Sequence, residues 1–278
     1  MGRDENRQVF QDTEKQCKTN EILKQAVKNS TQNQKLILET DEVPEQNRDR
    51  YDAPARVVVS KKRSFEAAKG YKGNKVVVHN FASATSPGGG VVNGATAQEE
   101  CLCRCSGLYF SLNNPDMWNG FYTPHRNERN PIHNADIIYT PDVTVFKTDT
   151  SYPKMMPKEN WYNVDVITCA APNLREKPSN KYNANDGDKQ IKVTDKELLA
   201  IHETRLKRML EVSISMGADT IILGAFGCGA FANNPEIVAK ANKNVIQEYL
   251  HAFKNIEFAI YCTPRDERNY KIFERHLT

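Results

Sequence analysis

The chain has 278 residues, 39% hydrophobic and 26% charged, which suits one large globular domain or one domain with an extension. Its 38 basic and 35 acidic residues leave a net charge of +3, too balanced for duplex DNA binding by bulk electrostatics, although a local basic patch facing a polyanion stays open. No stretch approaches the ~18 apolar residues of a membrane-spanning helix.

The start, Met1-Gly2-Arg3-Asp4-Glu5, lacks the apolar core of a secretory signal, and Asn6 stands where a myristoylation site needs Ser or Thr. Residues 1–34 are polar. Val9, Phe10, Cys17, Ile22, Leu23, Ala26 and Val27 fall at imperfect helical spacing, which predicts two short helices acting as a lid or buttress. Residues 35–39 read as a strand and 42–51 as a charged loop. A second strand follows at 56–60, then a helix over 65–69 capped by Ser64 and ended by Gly70.

Val76-Val77-Val78 is short and β-branched, the pattern of a buried strand. The next loop contains Pro87-Gly88-Gly89-Gly90. Three consecutive glycines weaken regular structure by about 0.5–1 kcal/mol each relative to Ala, so their use is close backbone approach or positive φ. Thr96-Ala97-Gln98-Glu99 fits a capping box, which would occupy Glu99 with backbone N–H groups. Glu100 has no such local duty. A free carboxylate beside a glycine-rich loop at a helix N-terminus is well placed to act on a bond next to an anionic group. The helix is predicted over about 97–112.

Seven cysteines, an odd number, predict reduced thiols in a cytoplasmic protein. Cys101, Cys103 and Cys105 alternate along the helix, so their sulfurs diverge by about 200° per step and do not converge on a metal. Residues 113–135 read as irregular; His125 and His133 there are either surface residues or candidate bases. Strands are predicted at 137–139 and 143–146 around the turn Thr140-Pro141-Asp142, and at 164–170, ended by Ala171-Pro172-Asn173. Residues 174–192 read as a mobile surface loop. Thr194-Asp195-Lys196-Glu197 opens a long helix to about Met216, with Arg205 on its inner stripe needing a partner and Gly217 ending it.

Thr220-Ile221-Ile222-Leu223 is read as the central strand. It runs into Gly224-Ala225-Phe226-Gly227-Cys228-Gly229-Ala230-Phe231 and then a helix with Pro235 in its first turn, continuing through residue 253. Strand, glycine-rich loop and helix N-terminus together form a phosphate cradle of backbone N–H groups. Neither a Walker loop nor the dinucleotide fingerprint fits its spacing. A last strand is predicted at 258–261 and a last helix at 267–276.

The string Asn80-Phe81-Ala82-Ser83-Ala84, Pro87-Gly88-Gly89-Gly90, Ala97-Gln98-Glu99-Glu100 and Ser106-Gly107-Leu108-Tyr109 resembles the signature of the poly(ADP-ribose) glycohydrolases. It is similar to their short bacterial-type members, which are built on a macrodomain and carry a helical N-terminal extension. The loop at 224–231 resembles the macrodomain diphosphate loop, and Ala171-Pro172-Asn173 is also shared. The resemblance implies an α/β fold: a three-layer α/β/α macrodomain with a mixed central sheet over 51–278, and an N-terminal helical extension over 1–50.

It implies hydrolysis of the ribose–ribose O-glycosidic bond, with poly(ADP-ribose) or ADP-ribosylated protein as substrate and ADP-ribose as product. Gly227, Cys228, Gly229 and Ala230 would hold the diphosphate through their amides, and Phe231 would pack against the ribose at the scissile bond. Gly88, Gly89 and Gly90 would bring backbone to that ribose and the diphosphate; Ser83 and Gln98 belong to the same substrate-binding string. Family correspondence makes Glu100 the acid/base and Glu99 a ligand of the neighbouring ribose hydroxyl. Asn80 would fix ribose hydroxyls or close a turn. Tyr261 would contact the adenine or pack in the core.

A usual glycosidase sets two carboxylates about 5–10 Å apart across the bond. Neighbouring helix residues diverge and cannot do so, hence a single acid/base is expected, with no metal or other cofactor. A macrodomain that binds ADP-ribose without cleaving it, or one that removes mono-ADP-ribose from proteins, is the alternative; the intact Gln98-Glu99-Glu100 argues against the first.

Overall fold

The computed structural model describes residues 1–181 and 183–278. Tyr182, inside the loop expected at 174–192, lies outside the described residues. Among the described residues seven strands form one mixed sheet: β1 (Lys35–Ile37), β2 (Arg56–Ser60), β3 (Val76–Ala82), β4 (Ile137–Val145), β5 (Tyr162–Ala170), β6 (Thr220–Leu223) and β7 (Asn255–Ala259), in the order β1-β4-β5-β3-β6-β7-β2. The β1–β4 and β4–β5 pairs are antiparallel and the other four are parallel. The middle of the sheet is β3, with β6 beside it.

Alternation along the strands divides the core. Val77, Ile167, Ile221 and Phe258 face one side; Val76, Val78, Val166 and Ile222 face the other. Among the described residues ten helices run in chain order: α1 (Arg3–Thr19), α2 (Glu21–Gln32), α3 (Ser64–Ala68), α4 (Gln98–Cys105), α5 (Leu108–Leu112), α6 (Pro115–Met117), α7 (Thr123–Glu128), α8 (Asp195–Ser215), α9 (Pro235–Ile246) and α10 (Arg268–Leu277). The first face packs on α8, α9 and α10, the second on α3, α4 and α5, giving three layers. No helix among the described residues is long and apolar enough to cross a membrane.

The N-terminal helices lie over α4 and α5 as a buttress. Phe10 meets Tyr109 edge-on at 4.9 Å, and Thr13 Oγ1 donates to the Arg104 carbonyl at 2.6 Å. Because β1 is the edge strand of the sheet, a division at residue 50 cuts across that sheet.

Several elements differ from the sequence reading. Ser64 begins α3 instead of capping it; Glu66 Oε2 accepts the Arg63 N–H in that place. The helix expected over 97–112 breaks at Ser106, which bridges to Val145, so α4 and α5 are separate. The stretch 113–135 is largely helical, through α6, a π-turn and α7, started by Asn114 capping Asp116 and Met117. One bulged strand, β4, replaces two strands around a turn: Asp165 accepts the Asp142 N–H inside the bulge and holds the halves in line. The helix α9 ends at Ile246 and gives way to a 3-10 turn.

Thr194 caps α8 with Glu197, as the spacing predicts. Buried Arg205 finds its partners in the carbonyls of Ala170, Ile132 and His133, at 2.7–3.1 Å. His125 and His133 are buried rather than on the surface, and both ring nitrogens of each are engaged. His125 bonds the Phe121 carbonyl and Asn134, and His133 bonds the Ala171 carbonyl and Asp186. They hold loops together and do not face the cleft described next.

Candidate active site

The strands β2, β3, β5, β6 and β7 are mutually parallel, so their C-terminal ends share one edge of the sheet. Loops leaving those ends enclose a cavity of about 800 Å³. This is where an open α/β sheet ordinarily takes its ligand.

The first turn of α4 projects both glutamates at this cavity, and both side chains are buried. No capping box forms: Ala97 is the N-cap, and Thr96 plays no part. Instead Glu99 reaches back to β3. Its Oε1 accepts from Asn80 Nδ2 at 3.2 Å and its Oε2 from the Ser83 N–H at 2.8 Å. Asn80 therefore closes no turn: it lies within β3, does not line the cavity, and orients Glu99 while also bonding Thr168.

Glu100 is not free of local duty either. Its Oε1 accepts the Gly90 N–H at 2.8 Å. Its Oε2 is buried without a partner among the described residues. The glycine loop makes this possible: Gly89 has φ +57, and a Cβ there would stand 2.6 Å from Glu100 Oε1 and 3.1 Å from Glu99 Oε2. Gly88 turns away from the cavity and packs against Tyr109 and Cys103. Gln98 lines the cavity, but its amide ties α4 to β3, accepting the Phe81 N–H and donating to Ser64 and the His79 carbonyl.

Burial, and then the charge of Glu100, pushes Glu99 up to about 8; burial also raises Glu100, against the Gly90 N–H. Two neighbouring buried carboxyls thus retain a proton between them near neutrality. The sign of the stability effect follows. A carboxyl that is more basic folded than unfolded stabilises the fold fully below its ordinary value of 4.5 and loses that contribution as pH rises through about 8. The melting temperature of the ligand-free protein should fall across that window, and less steeply in Glu100→Gln, where the like charge is gone. Equal slopes in a thermal-shift titration would show that the pair does not govern this pH dependence.

The second glycine loop faces the first. Gly227 has φ +74 and sits against Ala171 and Asn233, where a Cβ would approach to 2.7 and 2.9 Å. Asn233 clamps the loop: its Nδ2 donates to the Pro172 and Phe231 carbonyls, and its Oδ1 accepts from His202 Nε2 at 2.8 Å. Burial lowers His202 to about 4, so it stays a neutral donor. Cys228 spends its N–H on the Ala225 carbonyl and does not line the cavity. The N–H groups of Gly227, Gly229, Ala230 and Phe231 donate to no protein acceptor among the described residues, and all four residues line the cavity.

Tyr261 lies just past β7, is 48% exposed, and lines the cavity; it is not a packed core residue. The Arg63 guanidinium lies 3.8 Å from its ring centroid. Arg63 and the nearby Asp149 were not singled out in the sequence. Asp149 is buried and raised to about 6, chiefly by burial against the opposing effect of Arg63; its Oδ2 accepts the Phe65 N–H. From the stretch 174–192, read in the sequence as a surface loop, Arg175, Asn180 and Asn183 line the cavity. Among the described residues, no three His, Cys, Asp or Glu side chains gather as a metal cluster.

The site is therefore a two-loop cradle, rich in backbone donors on one wall and holding a protonatable carboxyl on the other. The sequence matches the family described as microbial-type PARG, catalytic domain, over residues 5–148. The fold is similar to the poly(ADP-ribose) glycohydrolase of Thermomonospora curvata (TM-score 0.80, 26% identity, 98% of each chain). It is also similar to that enzyme bound to the inhibitor ADP-HPD (TM-score 0.79, 26% identity, 97% of this chain and 98% of that one). The enzyme of Deinococcus radiodurans in complex with ADP-ribose matches with a TM-score of 0.73 and 29% identity, over 90% of this chain and 96% of that one. No curated protein matches the sequence.

Proposed function

The chain belongs to the microbial-type poly(ADP-ribose) glycohydrolase catalytic-domain family, and from that premise we propose how its cleft cleaves the polymer. It is a glycoside hydrolase that acts on the ribose–ribose bonds of poly(ADP-ribose) and releases ADP-ribose. Glu100 is the single acid/base in our reading, and one observation supports it: Glu100 Oε2 is a buried carboxyl oxygen with no partner among the described residues, on a residue that lines the cavity.

Both Glu99 oxygens accept from N–H donors, so the proton that the pair retains fits best on Glu100 Oε2. From there it passes to the leaving ribose oxygen as the glycosidic bond breaks. The oxocarbenium-like centre forms near the substrate's own diphosphate, which the Gly227, Gly229, Ala230 and Phe231 amides hold. Water then gives a proton to the Glu100 carboxylate and its oxygen to the anomeric carbon. Glu99, fixed by Asn80 and Ser83, holds the adjacent ribose hydroxyl; Phe231 packs on that ribose, and Tyr261 meets the adenine. ADP-ribosylated protein serves as a substrate where it carries the polymer. The helices α1 and α2 act as a buttress to a catalytic domain whose sheet includes β1. The seven unpaired cysteines suit a reducing cytoplasm.

Product analysis tests the reading: incubation with poly(ADP-ribose) should yield free ADP-ribose, and a polymer left intact would refute it. Because the diphosphate donors in this reading are backbone N–H groups, calorimetry should detect ADP-ribose binding in the presence of a chelator. Binding abolished by chelator and restored by a divalent cation would show that a metal bridges the diphosphate instead.

A further inference from the structure

The loop between β5 and α8 supplies an active-site side chain that neither the glutamates nor the glycine loops account for. Asn183 is buried and lines the same cavity as Glu99 and Glu100. Its Oδ1 is doubly anchored, accepting from the hydroxyls of Ser83 and Thr85, the latter at 3.2 Å. The direction of the Ser83 bond is set by the Thr85 N–H, which donates to Ser83 Oγ at 3.3 Å and leaves the Ser83 hydroxyl hydrogen for Asn183. With Oδ1 committed, Nδ2 is turned away from both hydroxyls. It is a buried N–H₂ group with no partner among the described residues. Buried donors are nearly always satisfied, so an orphan on a residue that lines the cavity points to a ligand acceptor.

The loop is built to hold that amide still. Asp186 bonds His133 Nε2 at 2.7 Å and Asn173 Nδ2 at 2.5 Å; Asn180 and Asn183 exchange backbone bonds at 3.1 Å; Ser179 donates to the Gly187 carbonyl at 2.6 Å. Ser83 is also the residue whose backbone N–H holds Glu99. Asn183 is thus registered, through one intervening residue, to the carboxylate beside the reacting bond.

We propose that Asn183 is a substrate-binding residue whose Nδ2 donates to a hydroxyl oxygen of the ribose that carries the anomeric carbon of the scissile bond, the distal ribose of the product ADP-ribose. The assignment rests on the glycohydrolase reading for the ligand's identity. A neutral amide suits this place: it donates to a sugar hydroxyl without placing a cation beside the glutamates, which would lower the raised pKa that an acid needs.

The test compares two ligands on the full chain. ADP-ribose carries the distal ribose and ADP lacks it. Asn183→Ala should bind ADP-ribose about tenfold more weakly, the loss of one good hydrogen bond to a buried site. It should bind ADP like the parent. Asn183→Asp keeps both hydroxyl anchors while replacing the N–H donor, and should show the same selective loss in the ratio of ADP-ribose to ADP affinity. Parental affinity for ADP-ribose in both variants would overturn the proposal. So would an equal loss for both ligands, with a lowered melting temperature, which marks a scaffold role. A parent protein that binds neither ligand would instead overturn the glycohydrolase reading itself.

Discussion

Glu100→Gln is expected to lower poly(ADP-ribose) hydrolysis by about 10²–10⁴-fold, the usual worth of a general acid/base, with ADP-ribose affinity close to the parental value. The variant suits the question because the side-chain oxygen of Gln can still accept the Gly90 N–H. Its amide then occupies the position of Oε2, which has no partner among the described residues and which in our reading delivers and recovers the proton. Single-turnover hydrolysis together with calorimetry separates the two readouts. Parental turnover in this variant would remove Glu100 from the mechanism.

Glu99→Gln should behave differently. Glu99 faces two N–H donors, from Asn80 and Ser83, one on each oxygen. A glutamine satisfies one and sets its own N–H₂ against the other, so the variant should melt at lower temperature as well as lose activity. The capping-box reading of the sequence predicts no loss of stability, since Gln also serves at that helix position. Thermal unfolding of the two variants side by side distinguishes the carboxylate that is built in from the one that acts.

The second large effect is expected on the diphosphate wall. In Gly229→Val the new Cβ meets no protein atom within 4 Å, and the glycine is not in the left-handed region, so the fold should keep its melting temperature. The space that is open in the ligand-free protein is where we place the diphosphate, and a branched side chain there should weaken ADP-ribose binding by about tenfold or more, at least 1.4 kcal/mol. Gly227→Val provides the contrast. Its Cβ would press on Ala171 and Asn233 and its φ of +74 is strained for a branched residue, so stability and binding should fall together. Unchanged affinity in a well-folded Gly229→Val would move the diphosphate to another wall.

Much of this molecule is local in origin and so legible in the sequence. Short β-branched runs such as Val76-Val77-Val78, the Thr194–Glu197 capping box, Asn234-Pro235 at a helix start and the glycines at 88–90 and 227–229 each state a preference that depends only on near neighbours. The two-loop site and the adjacent glutamates follow from those motifs, because a loop after a parallel strand can open only at that strand's C-terminal edge.

What the sequence left undecided concerns partners far apart in the chain. The role of Glu99 was read as helix capping because Thr96 is near in sequence. Tertiary packing instead brings Asn80 and Ser83 to it, and two aimed donors outcompete a cap. Gly90 closes on Glu100 across a turn that no spacing rule describes. His125 and His133 are buried by loops they themselves pin. Residues 174–192 carry no periodicity, hence the reading as a surface loop. Asp186 and Asn183 are held there by buried contacts with His133 and with Ser83 and Thr85, across separations of 53, 100 and 98 residues. Such contacts repay their ordering entropy only when the whole sheet is assembled, which is why local sequence cannot announce them.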